Sequence, residues 1–226
     1  PAALRAAAQL DPDPVPRAFQ RSRFGRKQGI SCNAHAVGRW LDGGLTDWPT
    51  EAAQVELVRR WLATFGPGTA ADLQWWLGGT AGIVRHALAD VGAVKVGLDG
   101  PATGWVLPDD LDPVSYDEPW AALLPVLDPT VMGWKERTFL LGEHGPALFD
   151  SNGNAGTTAW WGGRAVGCWV QDADGVVRMS LLEEVGADGR AALDVEAARL
   201  TAWLEGTPVG TVYPSPAMKA AVAADG

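Results

Sequence analysis

The sequence of 226 residues has only two cysteines and three histidines, and all five are scattered along the chain. Such spacing gives neither a disulfide framework nor a zinc-binding pattern, and no HExxH segment occurs. We therefore expect no metal site, and we expect Cys32 and Cys168 to be small buried hydrophobic residues rather than reactive thiols. Few cysteines also favour a reducing compartment, which predicts a cytoplasmic protein.

Motifs for nucleotide cofactors and for nucleophilic hydrolysis are missing as well. The sequence has no GxGxxG, no GxxxxGK[ST] and no Gly-x-Ser-x-Gly segment. Carboxylates beside turns, such as Asp128 and Asp174, are predicted to cap local backbone rather than to perform chemistry. We therefore expect no nucleotide cofactor and no other cofactor, and we identify no catalytic residue in this chain.

Long apolar runs are absent too. No stretch approaches the ~18 residues that a membrane helix needs, and no signal-peptide pattern is present. We therefore expect no membrane association. Hydrophobic residues at 47% and charged residues at 20% are typical of a folded globular chain. The first residues, PAALRAAAQL, lack a methionine and begin directly in a helical pattern, which we interpret as a fragment without its N-terminal portion.

Positive charge is scarce overall but concentrated in one segment. The net charge is −9, whereas residues 1–40 carry seven Lys and Arg residues against two acids, a balance of +5. Such a segment is either a solvated linker or a local basic surface that contacts nucleic-acid phosphates. For the second alternative, the candidate DNA-binding residues are Arg17, Arg21, Arg23, Arg26 and Lys27.

Residues 50–113 carry the clearest periodic pattern. A first helix is predicted over 50–65, with an apolar stripe formed by Val55, Leu57, Val58, Trp61, Leu62 and Phe65. A capping box at Thr69 and Asp72 predicts a second short helix, and Thr80 begins a third. A strand, an Asp-Gly turn and another strand follow over 93–108. This is the order of a winged helix, whose third helix normally lies against DNA.

The outward positions of the third predicted helix offer little for base recognition. They are Ala81, Gly82, Arg85, His86, Ala89 and Asp90. Arg85 is the one residue suited to DNA contact, and no Asn or Gln is present for bidentate recognition of adenine. A sequence-specific transcription factor is therefore disfavoured, and the unit either contacts phosphates or serves as a scaffold.

Residues 114–226 change to short strand patterns separated by turn signals. These signals are Asp128-Pro129, Gly145-Pro146, Asn152-Gly153, Gly162-Gly163 and Asp174-Gly175. They predict an antiparallel sheet or small barrel, and an amphipathic helix over 190–206 closes the region. The predicted fold class is α+β: winged helix-turn-helix unit(s), then a small antiparallel β-sheet or barrel region and a C-terminal helix. The predicted domains are a remnant of a preceding winged-helix unit and linker (1–49), a winged helix (50–113) and the β-rich region (114–226).

Within that region, the segment GWKER at 133–137 leaves two alternatives open. On one, it lies at a hairpin edge facing DNA, with Lys135 and Arg137 on phosphates and Trp134 against a groove or a displaced base. On the other, Trp134 is a core residue and Glu136 neutralises its neighbours.

Four segments resemble a known family. They are WLATFGPGTAADLQWWLG (61–78), GWVLPDDLDPV (104–114), LLPVLDPTVMGWKER (123–137) and ALFDSNGNAGTTAWWGGRAVGCW (147–169). In these the chain is similar to winged-helix DNA-binding-domain proteins of actinobacteria, a family that includes AlkZ-type DNA glycosylases. The resemblance runs from about Arg21 to the end of the sequence. It implies tandem winged-helix units with β structure, a double-stranded DNA partner and a monomeric protein.

The resemblance also implies an activity, with one departure. Glycosylases of this family excise bulky alkylated bases and unhook interstrand crosslinks, using a Gln-x-Gln or Gln-x-Asp pair in an N-terminal winged helix. This chain has Gln-x-Asp only at Gln9–Asp11, next to a proline-broken stretch and without the surrounding family pattern. Two functions therefore remain: part of a DNA-repair glycosylase, or a non-catalytic DNA-binding or regulatory module on the same scaffold.

Overall fold

A computed structural model of the protein describes residues 48–112 and 118–224. The chain divides into two units after Pro49, and the fold presented here is that of the unit Thr50–Gly226. Its elements are α1 (Thr50–Phe65), α2 (Ala70–Leu77), α3 (Ala81–Asp90), β1 (Val94–Gly97), β2 (Thr103–Val106), β3 (Ala121–Leu124), α4 (Pro129–Met132), α5 (Thr138–Leu141), α6 (Gly145–Leu148), β4 (Thr158–Trp161), β5 (Arg164–Gln171), β6 (Val177–Leu181), α7 (Gly186–Leu204) and α8 (Pro216–Ala224). The fold is thus mixed α and β, with helices and antiparallel sheets following one another, as expected.

The first three helices and the β1–β2 hairpin share one core. From α1, the apolar stripe buries Val58, Trp61 and Leu62, which pack with residues of α2 and α3. One predicted member of the stripe is wrong: Leu57 is 42% exposed. It directly precedes Val58, so the 100° step per residue turns it away from the shared core.

The helix starts predicted from capping residues are confirmed. Before α2, the Thr69 hydroxyl accepts the N–H of Asp72, and the Asp72 carboxylate accepts the N–H of Thr69, which completes a capping box. Gly78 ends this helix in the left-handed conformation, at φ 64°. The Thr80 hydroxyl caps α3 through the N–H of Ile83. The β1 and β2 strands then pair antiparallel, with Val94 opposite Val106.

The second sheet has four antiparallel strands in the order β3-β4-β5-β6. The Gly162-Gly163 turn joins β4 to β5, and both glycines have positive φ, at 55° and 83°, as a tight hairpin requires. Gly167 must lack a side chain, because a Cβ there would collide with the backbone oxygen of Ser180. The described strands form an open sheet rather than a barrel, since no pairing joins β3 to β6.

Both faces of this sheet are covered. Side chains of β4 and β5 divide between the two faces, and a bulge in the β4–β5 pairing interrupts the alternation along β5. Trp160, Ala165 and Cys168 therefore face one core, whereas Ala159, Val166 and Trp169 face another. The first core is closed by α4, α5, α6 and α8, and the second by α7.

One expectation for residues 114–226 is wrong, and another is incomplete. Asp128-Pro129 and Gly145-Pro146 do not separate strands; each begins a short helix with proline in its first turn. The predicted closing helix exists as α7, which buries Leu193, Ala197 and Leu204, but α8 follows it and packs on β5. In the described residues, no helix is long and apolar enough to cross a membrane.

Candidate nucleic-acid interface

The outer face of α3 is exposed as the sequence predicted. Arg85, His86 and Asp90 are all exposed, as are the three small residues of this face. His86 lies 3.4 Å from Asp90 in an exposed pair, whereas Arg85 makes no ion pair with any described residue. Within the described residues, the face therefore offers one unpaired cation, Arg85, among small side chains. This arrangement suits contact with a phosphate and provides few groups for recognition of bases.

The β1–β2 hairpin adds a second cation. Lys95 Nζ lies 5.2 Å from the ring centroid of Trp105 in a cation–π contact. Trp105 also exchanges two backbone hydrogen bonds with Gly68, at 2.8 and 3.2 Å, so the hairpin is tied to the loop after α1. This places a lysine on a strand that is fixed against the helices, although the sequence did not single out this residue.

The segment 133–137 does not lie at a hairpin edge, which corrects the first of its two alternatives. It connects α4 to α5 and packs against α1 and α2 instead. The Trp134 indole N–H donates to the carbonyl of Phe65 at 3.0 Å, and the Trp61 indole N–H donates to the carbonyl of Gly133 at 3.1 Å. Trp134 is half-buried and its ring meets Phe65 edge-on, as expected for a core residue.

The carboxylate of Asp72 holds this segment to α2. Asp72 is only 2% exposed, and its Oδ1 accepts the backbone N–H groups of Lys135 and Glu136 at 2.8 and 2.9 Å. The Oδ2 atom is used by Thr69 in the capping box. One buried side chain therefore caps a helix and binds a chain segment more than sixty residues further along.

Arg137 lies between two aromatic rings. The guanidinium carbon is 4.5 Å from the ring centroid of Phe149 and 5.4 Å from that of Trp75. Its Nη1 donates to the carbonyl of Val131 at 2.9 Å. Partial burial lowers the pKa of Arg137, opposed by Asp72 and Glu136, and the group remains charged at neutral pH.

Lys135 differs from Arg137 because its side chain is exposed. Its Nζ lies 3.5 Å from Glu136, and both side chains are more than half exposed, at 52% and 65%. An exposed ion pair of this kind contributes little to the free energy of folding, so Lys135 can exchange the Glu136 carboxylate for another anion. Of the predicted DNA-binding residues, Lys135 and Arg137 thus lie at one junction with α2. Arg85 is on α3, and the cluster Arg17, Arg21, Arg23, Arg26 and Lys27 falls outside the described residues.

Two further residues at this junction, Trp75 and Trp76, were missed from the sequence. Each exposes 41% of its surface, near the end of α2. The signal available was the short length of α2, because a two-turn helix has little room to bury two large indoles beside Leu73.

A separate polar cluster links three elements of the β-rich region. The Glu183 Oε2 atom is 2.8 Å from His144 Nε2 and accepts an N–H of Arg164 at 3.1 Å. A cavity of about 470 Å³ lies beside it, lined by residues 181–186 and Arg190. Because Glu183 is held by two partners, the cluster ties the strand ends to the loop before α6, whereas the carboxylate of Glu184, which also lines the cavity, is exposed.

Within the described residues, possible metal ligands do not cluster, and the cysteine is buried. No group of three or more metal-ligating side chains occurs within them. Cys168 is fully buried in β5, and burial raises the pKa of its thiol to about 11. A thiol with that pKa is a poor nucleophile at neutral pH.

A family model and a solved structure that match the chain both belong to AlkZ-type DNA glycosylases. A family model described as DNA glycosylase AlkZ-like matches residues 7–203. Among solved structures, the Streptomyces sahachiroi DNA glycosylase AlkZ is similar in fold, with a TM-score of 0.59 and 18% sequence identity. The match covers 73% of this chain and 47% of that one, so the present chain spans about half the length of that protein. No curated protein sequence matches the chain.

Proposed function

The chain belongs to the AlkZ-like DNA glycosylase family, and on this premise we propose that it binds double-stranded DNA without recognising base sequence. The binding serves a repair glycosylase that acts on alkylated or crosslinked DNA. The observation that carries the proposal is the family match over residues 7–203, which is most of the chain. The likeness in fold to the Streptomyces enzyme agrees with it.

We further propose that α1, α2, α3 and the β1–β2 hairpin are a winged-helix unit that meets DNA through α3. The element order is that of a winged helix, and the outer face of α3 is exposed throughout. Arg85 contacts a phosphate there, and Lys95 contacts another from the hairpin. Small neighbours such as Ala81 and Gly82 allow the duplex backbone to approach the helix closely.

Absence of sequence recognition fits the chemistry of repair. A glycosylase must extract a damaged nucleotide from the duplex, and damage lowers the cost of unstacking it. Specificity then comes from the lesion rather than from the flanking bases, so one arginine on the α3 face is sufficient for its role. The protein contacts DNA as a monomer in this proposal, with phosphate contacts supplying most of the affinity.

The second candidate function is a non-catalytic DNA-binding or regulatory module on the same scaffold. The absence of a Gln-x-Gln pair from this chain, in which Gln9–Asp11 is the single Gln-x-Asp, supports this candidate. Both candidates require DNA binding, and they differ only in base release from damaged DNA.

Fluorescence anisotropy with several labelled duplexes of unrelated sequence tests the shared part of the proposal. We expect affinities that agree within about threefold between sequences at one salt concentration. Arg85→Ala should weaken binding to all of them equally, because a phosphate contact carries no sequence information. Arg199→Ala, which removes an exposed arginine paired with Glu196 on α7, is the matched control and should leave binding unchanged. A strong preference for one duplex, or no binding to any, would contradict the proposal.

A further inference from the structure

Three large aromatic side chains are exposed around the junction between α2 and residues 133–139. Trp75 and Trp76 are each 41% exposed, and Phe139 is 58% exposed. Residues three and four positions after Asp72 share its face of α2, so both indoles continue the face where Asp72 binds the backbone of residues 135 and 136. Phe139 packs edge-on against Trp134 in the same segment. Exposed aromatic groups that cluster in this way mark an interaction surface.

The guanidinium of Arg137 lies at this surface with donors still available. Its position is fixed by the rings of Trp75 and Phe149 and by the carbonyl of Val131. Within the described residues, Nε and Nη2 make no hydrogen bond to protein, and no buried side-chain nitrogen or oxygen lacks a partner. These two donors therefore reach solvent, in the planar arrangement that matches two oxygens of a phosphate.

The two tryptophans differ in what covers them. Arg137 lies over the ring of Trp75, whereas no ring or cation of the described residues stacks on Trp76. Lys135 adds an exposed cation held only by a weak pair with Glu136. Partly exposed indole rings beside cations are a combination by which proteins hold unpaired nucleotides: the bases stack on the rings and the cations contact the backbone.

We propose that Trp75, Trp76, Lys135 and Arg137 form a platform for an unpaired nucleotide of DNA. The base stacks on Trp76, and the adjoining phosphate binds the free N–H groups of Arg137 and the ammonium of Lys135. A paired base offers no ring face outside the duplex, so the platform distinguishes disrupted DNA from intact DNA. This inference rests on the proposed function, since it requires that the chain bind DNA at all.

Two duplexes of equal length and equal phosphate number separate the platform from general DNA binding. One is fully paired, and the other contains an internal bubble of three mismatched pairs. We expect the parent protein to bind the bubble duplex more tightly. Trp76→Ala should lower affinity for the bubble duplex about tenfold, as loss of one stacked base predicts, and change affinity for the paired duplex less than twofold.

Control variants separate stacking from other effects. Trp76→Phe keeps an aromatic ring and should retain most of the preference for the bubble duplex. Trp203→Ala removes an indole that is 72% exposed on α7, and it should change neither affinity. Thermal unfolding of each variant should match the parent, because these rings are exposed.

The outcomes that overturn the proposals are distinct. If the parent binds neither duplex, both the proposed function and the platform fail. If the parent binds both duplexes equally, or if Trp76→Ala weakens both equally, the platform is wrong and DNA binding stands. If the parent is a dimer in gel filtration and Trp76→Ala makes it a monomer, the surface is a self-association site and the platform is wrong.

Discussion

The carboxylate of Asp72 accepts the backbone N–H of Lys135 at 2.8 Å, and this bond joins the second helix to a segment of the β-rich region. The same carboxylate accepts the N–H groups of Glu136 and Thr69. A buried acceptor with three backbone donors is costly to remove, because each donor is left without a partner. Asp72 is therefore the residue on which the attachment of segment 133–137 depends most.

Asp72→Ala should lower the free energy of unfolding by about 3 kcal/mol, through the lost cap and the unpaired N–H groups. Asp72→Asn keeps one acceptor oxygen but turns an amide N–H group towards backbone donors, so a smaller loss of about 2 kcal/mol is expected. Urea unfolding followed by circular dichroism measures both. The control is Asp99→Ala in the exposed β1–β2 turn, for which a change under about 0.5 kcal/mol is expected. Equal stability of Asp72→Ala and Asp99→Ala would show that the buried carboxylate is dispensable.

Substitutions of Trp134 test the interpretation that this ring is a core residue of segment 133–137. Trp134→Ala should destabilise the fold by about 3 kcal/mol, because the ring packs against Phe65 and Phe139. Trp134→Phe keeps most of the packing and loses the hydrogen bond to the Phe65 carbonyl, so a loss of about 1 kcal/mol is expected. Urea unfolding followed by circular dichroism measures both losses. A stable Trp134→Ala variant that binds DNA poorly would instead assign the ring to DNA contact.

Local signals in the sequence predicted much of this architecture, because the physical cause of each lies within a few residues. Capping at Thr69 and Thr80 and the Gly162-Gly163 hairpin depend on backbone geometry that these residue types favour. Asp128-Pro129 misled because Asp followed by Pro suits a turn and also suits a helix start. In the fold the Asp128 carboxylate accepts the N–H of Thr130 and so caps α4.

The junction at segment 133–137 could not be predicted from local pattern. Its position is set by a carboxylate on α2 and by indole hydrogen bonds to Phe65 and Gly133, all of them distant in sequence. The sequence indicated the right residue types, cations beside aromatic rings, and left open whether they faced DNA or the core. In the fold, Trp134 is half-buried and Lys135 pairs with Glu136, as the second alternative expected, whereas contact of Lys135 with DNA stays a prediction.

Cys168 gives a prediction for pH. Burial raises the pKa of its thiol from 9.0 to about 11, so the unfolded chain loses this proton first as pH rises. The contribution of the neutral thiol to stability is complete below pH 9 and is lost as pH rises from 9 through 11. Between pH 8 and pH 10.5, the free energy of unfolding should therefore decrease more for the parent than for Cys168→Ala. An identical decrease in both proteins would contradict the assignment.

Base release separates the two candidate functions. We expect the chain to release no bases from alkylated DNA, because its single Gln-x-Asp, at Gln9–Asp11, stands next to a proline-broken stretch. Incubation with an alkylated oligonucleotide followed by alkaline cleavage reveals any abasic sites. Strand breaks above the protein-free background that Gln9→Ala abolishes would identify Gln9 as catalytic and favour the glycosylase.

The central claim, that the chain binds duplex DNA mainly through phosphate contacts, is tested most directly by the salt dependence of binding. Affinity for one labelled duplex is measured at several salt concentrations for the parent and for a variant with Arg17, Arg21, Arg23, Arg26 and Lys27 changed to Ala. Each phosphate contact contributes roughly −0.9 to the log–log slope. We predict a steep slope for the parent and a clearly shallower slope, with weaker binding, for the variant. A variant that binds as the parent does would show that the basic segment is a solvated linker. A flat salt response of the parent would contradict the central claim.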